Sequence, residues 1–178
     1  MLSNKKEYVE QAKFLATQAR DAAPHYQHSH IGYNYRMSNV SAAIGRGQMM
    51  VLEDRIAKRR ANFEFYKSEL SQIDAITFLD EPENYFSNRW LTAVTVEEVK
   101  TKKKINRETI RLALLEKNIE SRPLWKPLHL QPVFEHYLNY DNGIASKLFD
   151  NGLCLPSGSN LSLNDLERIT DAIKTVFA

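Results

Sequence analysis

From residue 5 to 19, Val9, Ala12, Leu15, Ala16 and Ala19 recur at helical spacing against a polar opposite side, which predicts an amphipathic helix ending near Asp21-Ala22-Ala23-Pro24. Between Pro24 and Met37 the run PHYQHSHIGYNYRM has no helical period, is dense in histidine and tyrosine, and contains Gly32; it reads as a structured loop. Ser38 and Asn39 are capping residues, and beyond them Val40, Ala43, Ile44, Gly47 and Val51 open a helical pattern that continues to Leu70. The expectation is one helix of about 30 residues, long enough to bridge two lobes or pack along a partner. Ser41, Ala42, Ala43, Gly45 and Gly47 crowd its first turns. Two helical glycines cost about 1 kcal/mol each relative to alanine, so a close domain or subunit contact is expected there.

Past the helix, Ala75–Leu79 and Arg89–Val96 have the β-branched and aromatic character of strands. KTKKKIN reads as a basic turn, followed by a helix capped by Asn106 and carrying Ile110, Ala113, Leu114 and Lys117. Ile119–Arg122 reads as a short strand closed by Pro123, completing a β-α-β arrangement. Asp141–Asn151 looks helical and Leu153–Leu155 extended. Ser162-Leu163-Asn164-Asp165 is a capping box for a last helix striped by Leu166, Ile169, Ile173 and Val176. No repeat or low-complexity tract interrupts this pattern, so three segments emerge: 1–37, 38–70, and an α/β unit over 71–178.

Composition narrows the classes of function. The 178 residues carry 24 basic and 22 acidic side chains, a net charge of +2, which argues against nucleic acid or an anionic membrane as partner. No apolar run nears the roughly 20 residues that span a bilayer, and the start lacks a signal pattern, so a cytoplasmic address is expected. The single cysteine, Cys154, sits in the apolar run LCLP without an activating neighbour, and its expected role is packing. His25, His28 and His30 lie close together, but no carboxylate or cysteine at ligand spacing completes a metal site. The adjacent Glu97 and Glu98 would point to opposite faces of a strand and cannot work as a facing acid and base.

In HSHIGYNYRMSNVSAAIG, Asn34 and Arg36 stand just before the free amides of a helix amino terminus, with Gly32 permitting close backbone approach. That outlines an anion site. A plainer alternative has Tyr33 and Tyr35 packing under the loop while Asn34 and Arg36 cap and solvate it. The string HIGYNYRMSNVSAAIGRGQM resembles the segment after the cofactor lysine in sugar aminotransferases of the DegT/DnrJ/StrS type, and ESRPLWKPLHLQPVF and GLCLPSGSNLSLNDLERI resemble the same family's small-domain strand, substrate loop and last helix, in the same order.

The resemblance implies an α/β fold: the small, carboxyl-terminal domain of a fold type I pyridoxal-phosphate aminotransferase, with a long interdomain helix and a small mixed sheet with helices. Residues 1–37 would then be a remnant of the large cofactor domain with its active-site loop, and 38–70 an interdomain or dimer helix. It implies that Asn34, with Arg36 close by, meets the phosphate of pyridoxal phosphate across a homodimer, and that Trp125, Lys126 and His129 are candidate contacts to a nucleotide-linked sugar. From the residues alone, Trp125 could equally be a buried cap and His129 a satisfied hydrogen-bonder. The implied reaction moves an amino group from glutamate to the 4-keto position of a nucleotide-linked deoxysugar.

One departure stands out. The family's cofactor lysine falls before the strand that Met1–Asn4 would continue; Lys5 and Lys6, at the start of an amphipathic helix, are no substitutes. The chain alone is therefore expected to lack activity. The alternative is a non-catalytic module that dimerises or complements a missing large-domain half. Nucleic-acid binding through RIAKRR and KTKKKINR rests on charge alone.

Overall fold

The computed structural model describes residues 2–98 and 104–178, and the chain divides into two compact units, Met1–Val51 and Leu52–Ala178. In the first, α1 spans Lys6–Ala16. It closes on a turn in which Gln18 and Ala19 both have left-handed backbones, φ 72° and 48°. The Ala19 amide donates to the Phe14 carbonyl at 2.9 Å, while the returning loop donates from Tyr33 to Leu15 (2.8 Å) and from Tyr35 to Ala16 (3.1 Å). Loop amides thus satisfy carbonyls that the helix end leaves free. Leu2–Asn4, expected to continue a strand, form none: a lone extended segment has no neighbour to pair with.

The single helix expected over 38–70 is instead two, α2 at Asn39–Met49 and α3 at Leu52–Leu70, separated by a turn at Met50 and Val51. The Val51 amide reaches back three residues to Gln48, closing α2 tightly. Glu53 and Asp54 then supply the negative charge that suits a new helix amino terminus. A Cβ added at Gly45 or Gly47 would meet nothing, so these glycines answer no packing demand within the described chain.

The second unit holds β1 (Ile76–Phe78), β2 (Thr92–Val96), α4 (Arg107–Glu116), β3 (Arg122–Pro123), a 3-10 turn at Leu128–Leu130, α5 (Ile144–Asn151), β4 (Gly152–Leu155) and α6 (Leu163–Phe177). Most of the basic turn expected at KTKKKIN lies outside the described residues. Strand order is β1-β2-β4-β3, and every pairing is antiparallel. The expected mixed sheet is therefore an antiparallel one. Because β2 and β3 both run antiparallel to β4, they are parallel to each other, and the expected β-α-β unit survives in split form with β4 inserted.

Register fixes the two faces of the sheet. Ile76↔Val96, Phe78↔Val94 and Val94↔Leu153 align one face over the helices; Ala93↔Cys154↔Arg122 line up on the other. The helical face joins Tyr66 and Leu70 of α3, Ile110 and Leu114 of α4, and Leu166, Ile169 and Ile173 of α6 in one core. Asn106 caps α4 and Ser162 caps α6, each through a reciprocal capping box. Tyr66 donates its hydroxyl to the Pro156 carbonyl (2.8 Å) and Asn62 its amide to the Gly158 carbonyl (3.0 Å), pinning the chain after β4 to α3. Gly152 is obligatory at the entry to β4, since a Cβ there would lie 2.4 Å from the Leu148 carbonyl oxygen.

Candidate functional site

The loop of the first unit is built around Gly32. A Cβ at this position would come within 2.3 Å of the Gln18 and Ala19 backbone, so only glycine lets the loop lie on the left-handed turn. Ala19 is fully buried beneath it. His28 Nδ1 meets the Gln18 carbonyl at 2.9 Å and Ser29 donates to Asp21 Oδ2 at 2.8 Å. The Ser29 hydroxyl holds the Asp21 carboxyl below the ordinary aspartate range.

This lacing presents residues 33–36. Asn34 bridges to Thr17 across an antiparallel pair, while Tyr33 and Tyr35, two apart and so on one side, stack with ring centroids 5.0 Å apart. Alternation puts Asn34 on the other side. The tyrosines do not pack under the loop: Tyr35 is 77% exposed. Asn34 and Arg36 are exposed and, among the described residues, make no side-chain hydrogen bond or ion pair. Ser38 caps α2 by accepting from the Ser41 amide at 3.1 Å. The amides of Asn39 and Val40 lie ahead of the first turn's bonds, so the Asn34 amide, the Arg36 guanidinium and a helix amino terminus occur within seven residues as donors suited to an anion.

The three histidines are turned to different partners. His25 meets Gln27 at 3.2 Å, His28 meets Gln18, and His30 lies edge-on to Phe14. Among the described residues no group of three His, Cys, Asp or Glu is placed to hold a metal ion. Lys5 lies over the Tyr8 ring and Lys6 pairs with Glu10 at 3.5 Å, both on the solvent side of α1.

In the second unit, the face of the sheet away from the helical core carries a groove of about 560 Å³. Cys154 and Leu91 line its apolar part, with Ser121, Arg122, Trp125 and Ser157 among its other walls. Burial pushes the Cys154 thiol up, keeping it neutral and suited to packing. The Ser121 hydroxyl oxygen is buried with no partner among the described residues. Glu120 and Arg122, also lining the groove, pair at 2.6 Å.

Of the residues singled out in the RPLWKPLHLQ loop, Trp125 lines this groove and is 66% exposed, so it is no buried cap. Lys126 is exposed beside it with no ion pair among the described residues. His129 is turned elsewhere: its Nε2 sits 3.1 Å from Ser146 Oγ and 3.3 Å from Asp141 Oδ2, a polar cluster that ties the loop to α5. Sequence reasoning missed Trp90, whose ring stacks on Trp125. Nothing local marks the pairing, because the two come from different loops brought together by the β2-β4-β3 order.

The sequence profile of the DegT/DnrJ/EryC1/StrS aminotransferase family matches residues 1–174. EpsN of Bacillus subtilis (strain 168), which bears the name of a pyridoxal phosphate-dependent aminotransferase, is 44% identical over 99% of this chain and 45% of its own length. GDP-perosamine synthase of Vibrio cholerae is 29% identical over 99% of this chain and 47% of its own length. Among solved structures, the aminotransferase TlmJ from Streptoalloteichus hindustanus superposes with a TM-score of 0.82 at 22% identity, over 97% of this chain and 45% of TlmJ, a likeness of fold. The chain spans about half the length of the curated relatives it matches.

Proposed function

Because the chain belongs to the DegT/DnrJ/EryC1/StrS aminotransferase family, whose enzymes depend on pyridoxal phosphate, we propose that it forms the carboxyl-terminal portion of an enzyme that transfers an amino group from glutamate to the 4-keto position of a nucleotide-linked deoxysugar. The observation that carries this reading is the pair Asn34 and Arg36, two exposed donors without partners among the described residues, directly before the free amides of α2. They fit a phosphate: an amide N–H and a planar guanidinium both donate to its oxygens, and the helix dipole adds to the attraction. The cofactor, when bound, supplies the electron sink for amino transfer. Lys5 and Lys6 do not stand in for the family's cofactor lysine: Lys5 lies over the Tyr8 ring and Lys6 pairs with Glu10, both exposed.

Residues 1–37 serve as part of the cofactor domain, α2 and α3 connect domains or subunits, and 71–178 act as the small domain of a homodimer. The name GDP-perosamine synthase supports a nucleotide-linked substrate. Trp125 offers an aromatic face and Lys126 a free ammonium group for phosphate oxygens, while His129 acts one step back by anchoring their loop to α5. Assayed alone, these 178 residues should show no amino transfer. In the complete enzyme, N34A and R36A should each weaken pyridoxal phosphate binding about tenfold, the worth of one charge-assisted hydrogen bond, as read by absorbance titration. Unchanged affinity in both sinks the site. For the isolated chain, borohydride trapping of added cofactor should label no single lysine preferentially; stoichiometric labelling of one lysine overturns the expectation of inactivity.

The second reading, a dimerising or complementing module, is favoured by the apolar residues that α2 exposes, Val40, Ile44 and Met49. Light scattering across a concentration range tests it, and a monomer throughout argues against self-association.

A further inference from the structure

Trp125 lines the groove; Trp90 does not, yet the two indoles stack with centroids 5.8 Å apart and planes 22° from parallel. Trp90 therefore backs Trp125. Both residues remain more than half exposed, leaving large apolar surface open to solvent. Trp90 ends the loop between β1 and β2, and that loop is fastened to α3 by an unusual density of charge. Glu81 accepts from the Ser87 amide through Oε1 at 2.8 Å and from Arg60 Nη1 through Oε2 at 2.9 Å; Arg89 Nη2 lies 3.7 Å from the same Oε2. Arg60 also donates to the Ser87 carbonyl (2.6 Å), Arg89 to the Leu79 carbonyl (2.8 Å), and Arg59 to the carbonyl of Trp90 itself.

The cluster is partly desolvated, with the Arg60 side chain 33% exposed. The side chains of Glu81 and Arg89 are only 16% and 10% exposed, and the Arg89 guanidinium lies 3.7 Å from the centre of the Phe63 ring. This shelter favours one geometry, because losing a partner strands the Arg89 or Glu81 charge largely away from water. Arg89 has φ 48°, a left-handed backbone that a long L side chain adopts only when its surroundings enforce it, and the residue after it is Trp90. A loop fastened only for stability would have no reason to end on an exposed indole aligned with a second one at a groove wall.

We propose that Trp90 is a positioning residue, which holds the Trp125 indole against the groove, and that Glu81, through Arg60 and Arg89, holds Trp90. What Trp125 then meets rests on the reading above, in which its aromatic face meets a nucleotide-linked substrate, and here the ring is taken to face the planar base; the placement of the two indoles does not rest on that reading.

The chain has two tryptophans, and they are this pair. A far-ultraviolet exciton couplet in its circular dichroism therefore reports their stacking. Glu81→Gln should cut the couplet by about half or more, since a neutral amide cannot hold both arginines. Glu69→Gln, which removes the 2.5 Å ion pair to Lys174 in the same unit, should leave it intact. If E81Q also loses the helical signal, Arg60→Lys replaces it, with the same loss expected. Acrylamide quenching of the remaining Trp125 should be about twofold greater in W90A than in W90F, where a ring still backs it. A couplet that survives E81Q and R60K, or equal quenching in W90A and W90F, overturns the proposal. Titration with GDP, UDP and dTDP separates the two levels. Trp quenching by one of them that weakens about tenfold in W90A but not in W90F supports placement and groove together. No response to any of the three, with the couplet and acrylamide results as expected, removes the substrate reading and leaves the positioning role standing.

Discussion

The two units of this chain are held together by different physics. In Leu52–Ala178, α3 buries Asn62, Phe63, Tyr66 and Leu70, α6 buries five residues, and both meet the sheet in a continuous core. In Met1–Val51, α1 and α2 bury nothing, and Ala19 is the one buried apolar residue described. What orders the first unit is backbone hydrogen bonding: loop amides from Tyr33 and Tyr35 on the last turn of α1, and the close seat of Gly32 on Gln18 and Ala19. Hydrogen bonds of this kind are worth about 1 kcal/mol each, against about 1.5–3 kcal/mol for each large side chain fully buried. Order without burial suits a segment whose apolar residues find their cover elsewhere, as the proposed dimer requires.

The contrast breaks most directly by truncation in the two halves. Leu114→Ala, at a position with no solvent exposure between α4 and α6, should destabilise the second unit by about 2–5 kcal/mol. Ile44→Ala, in exposed α2, should cost less than about 0.5 kcal/mol. Denaturant melts followed by circular dichroism measure both. A comparable loss for I44A would mean that α2 is covered within the isolated chain, and the division into a packed and an open unit would fail.

A second substitution sharpens the contrast by striking the backbone instead of the core. Gly32→Ala places a methyl group against the Gln18 and Ala19 backbone, so the loop must lift. Amide protection at Leu15–Ala19 and Tyr33–Tyr35 should then fall by about tenfold or more in hydrogen exchange, the equivalent of roughly 1.4 kcal/mol of local opening. Protection in α4 and α6 should stay the same. Global loss of protection would show the two units to be one cooperative body.

What could be read from the sequence follows the same line between local and distant causes. The caps at Asn106 and Ser162 were legible because each is decided within four residues, and the helices they open lie where periodicity places them. The strand at Thr92–Val96 was legible from its β-branched run, though it starts three residues later than expected because the Arg89 turn belongs to the loop. The antiparallel character of the sheet was not legible: it depends on β4 entering between β2 and β3, a pairing that no local pattern encodes. Periodicity ran through Met50 and Val51 without a proline to mark the break between α2 and α3. At the candidate site, Asn34, Arg36 and Trp125 stood out by type and motif. Trp90 and the Glu81 cluster did not, because their meaning comes only from what the folded loops bring together.

The smallest expected effect compares how each unit answers acid. Ser162 hydrogen bonds hold Asp165 below the ordinary aspartate value of 3.8, and the Ser29 hydroxyl does the same for Asp21. A carboxylate whose pKa is lowered by folding contributes stability that is present above its unfolded value and lost as pH falls through its folded one. Both contributions should therefore be whole at neutral pH and fade only below about pH 4. Ser162→Ala should flatten that acid-side loss in the melts of the second unit, and Ser29→Ala should flatten it in the exchange of the loop amides. Both carboxylates lie at the surface, so each change is small and shrinks further with added salt. If S162A alters loop exchange, or S29A alters the melts, the two regions share a titration, and the different physics that separates them at neutral pH does not extend to acid.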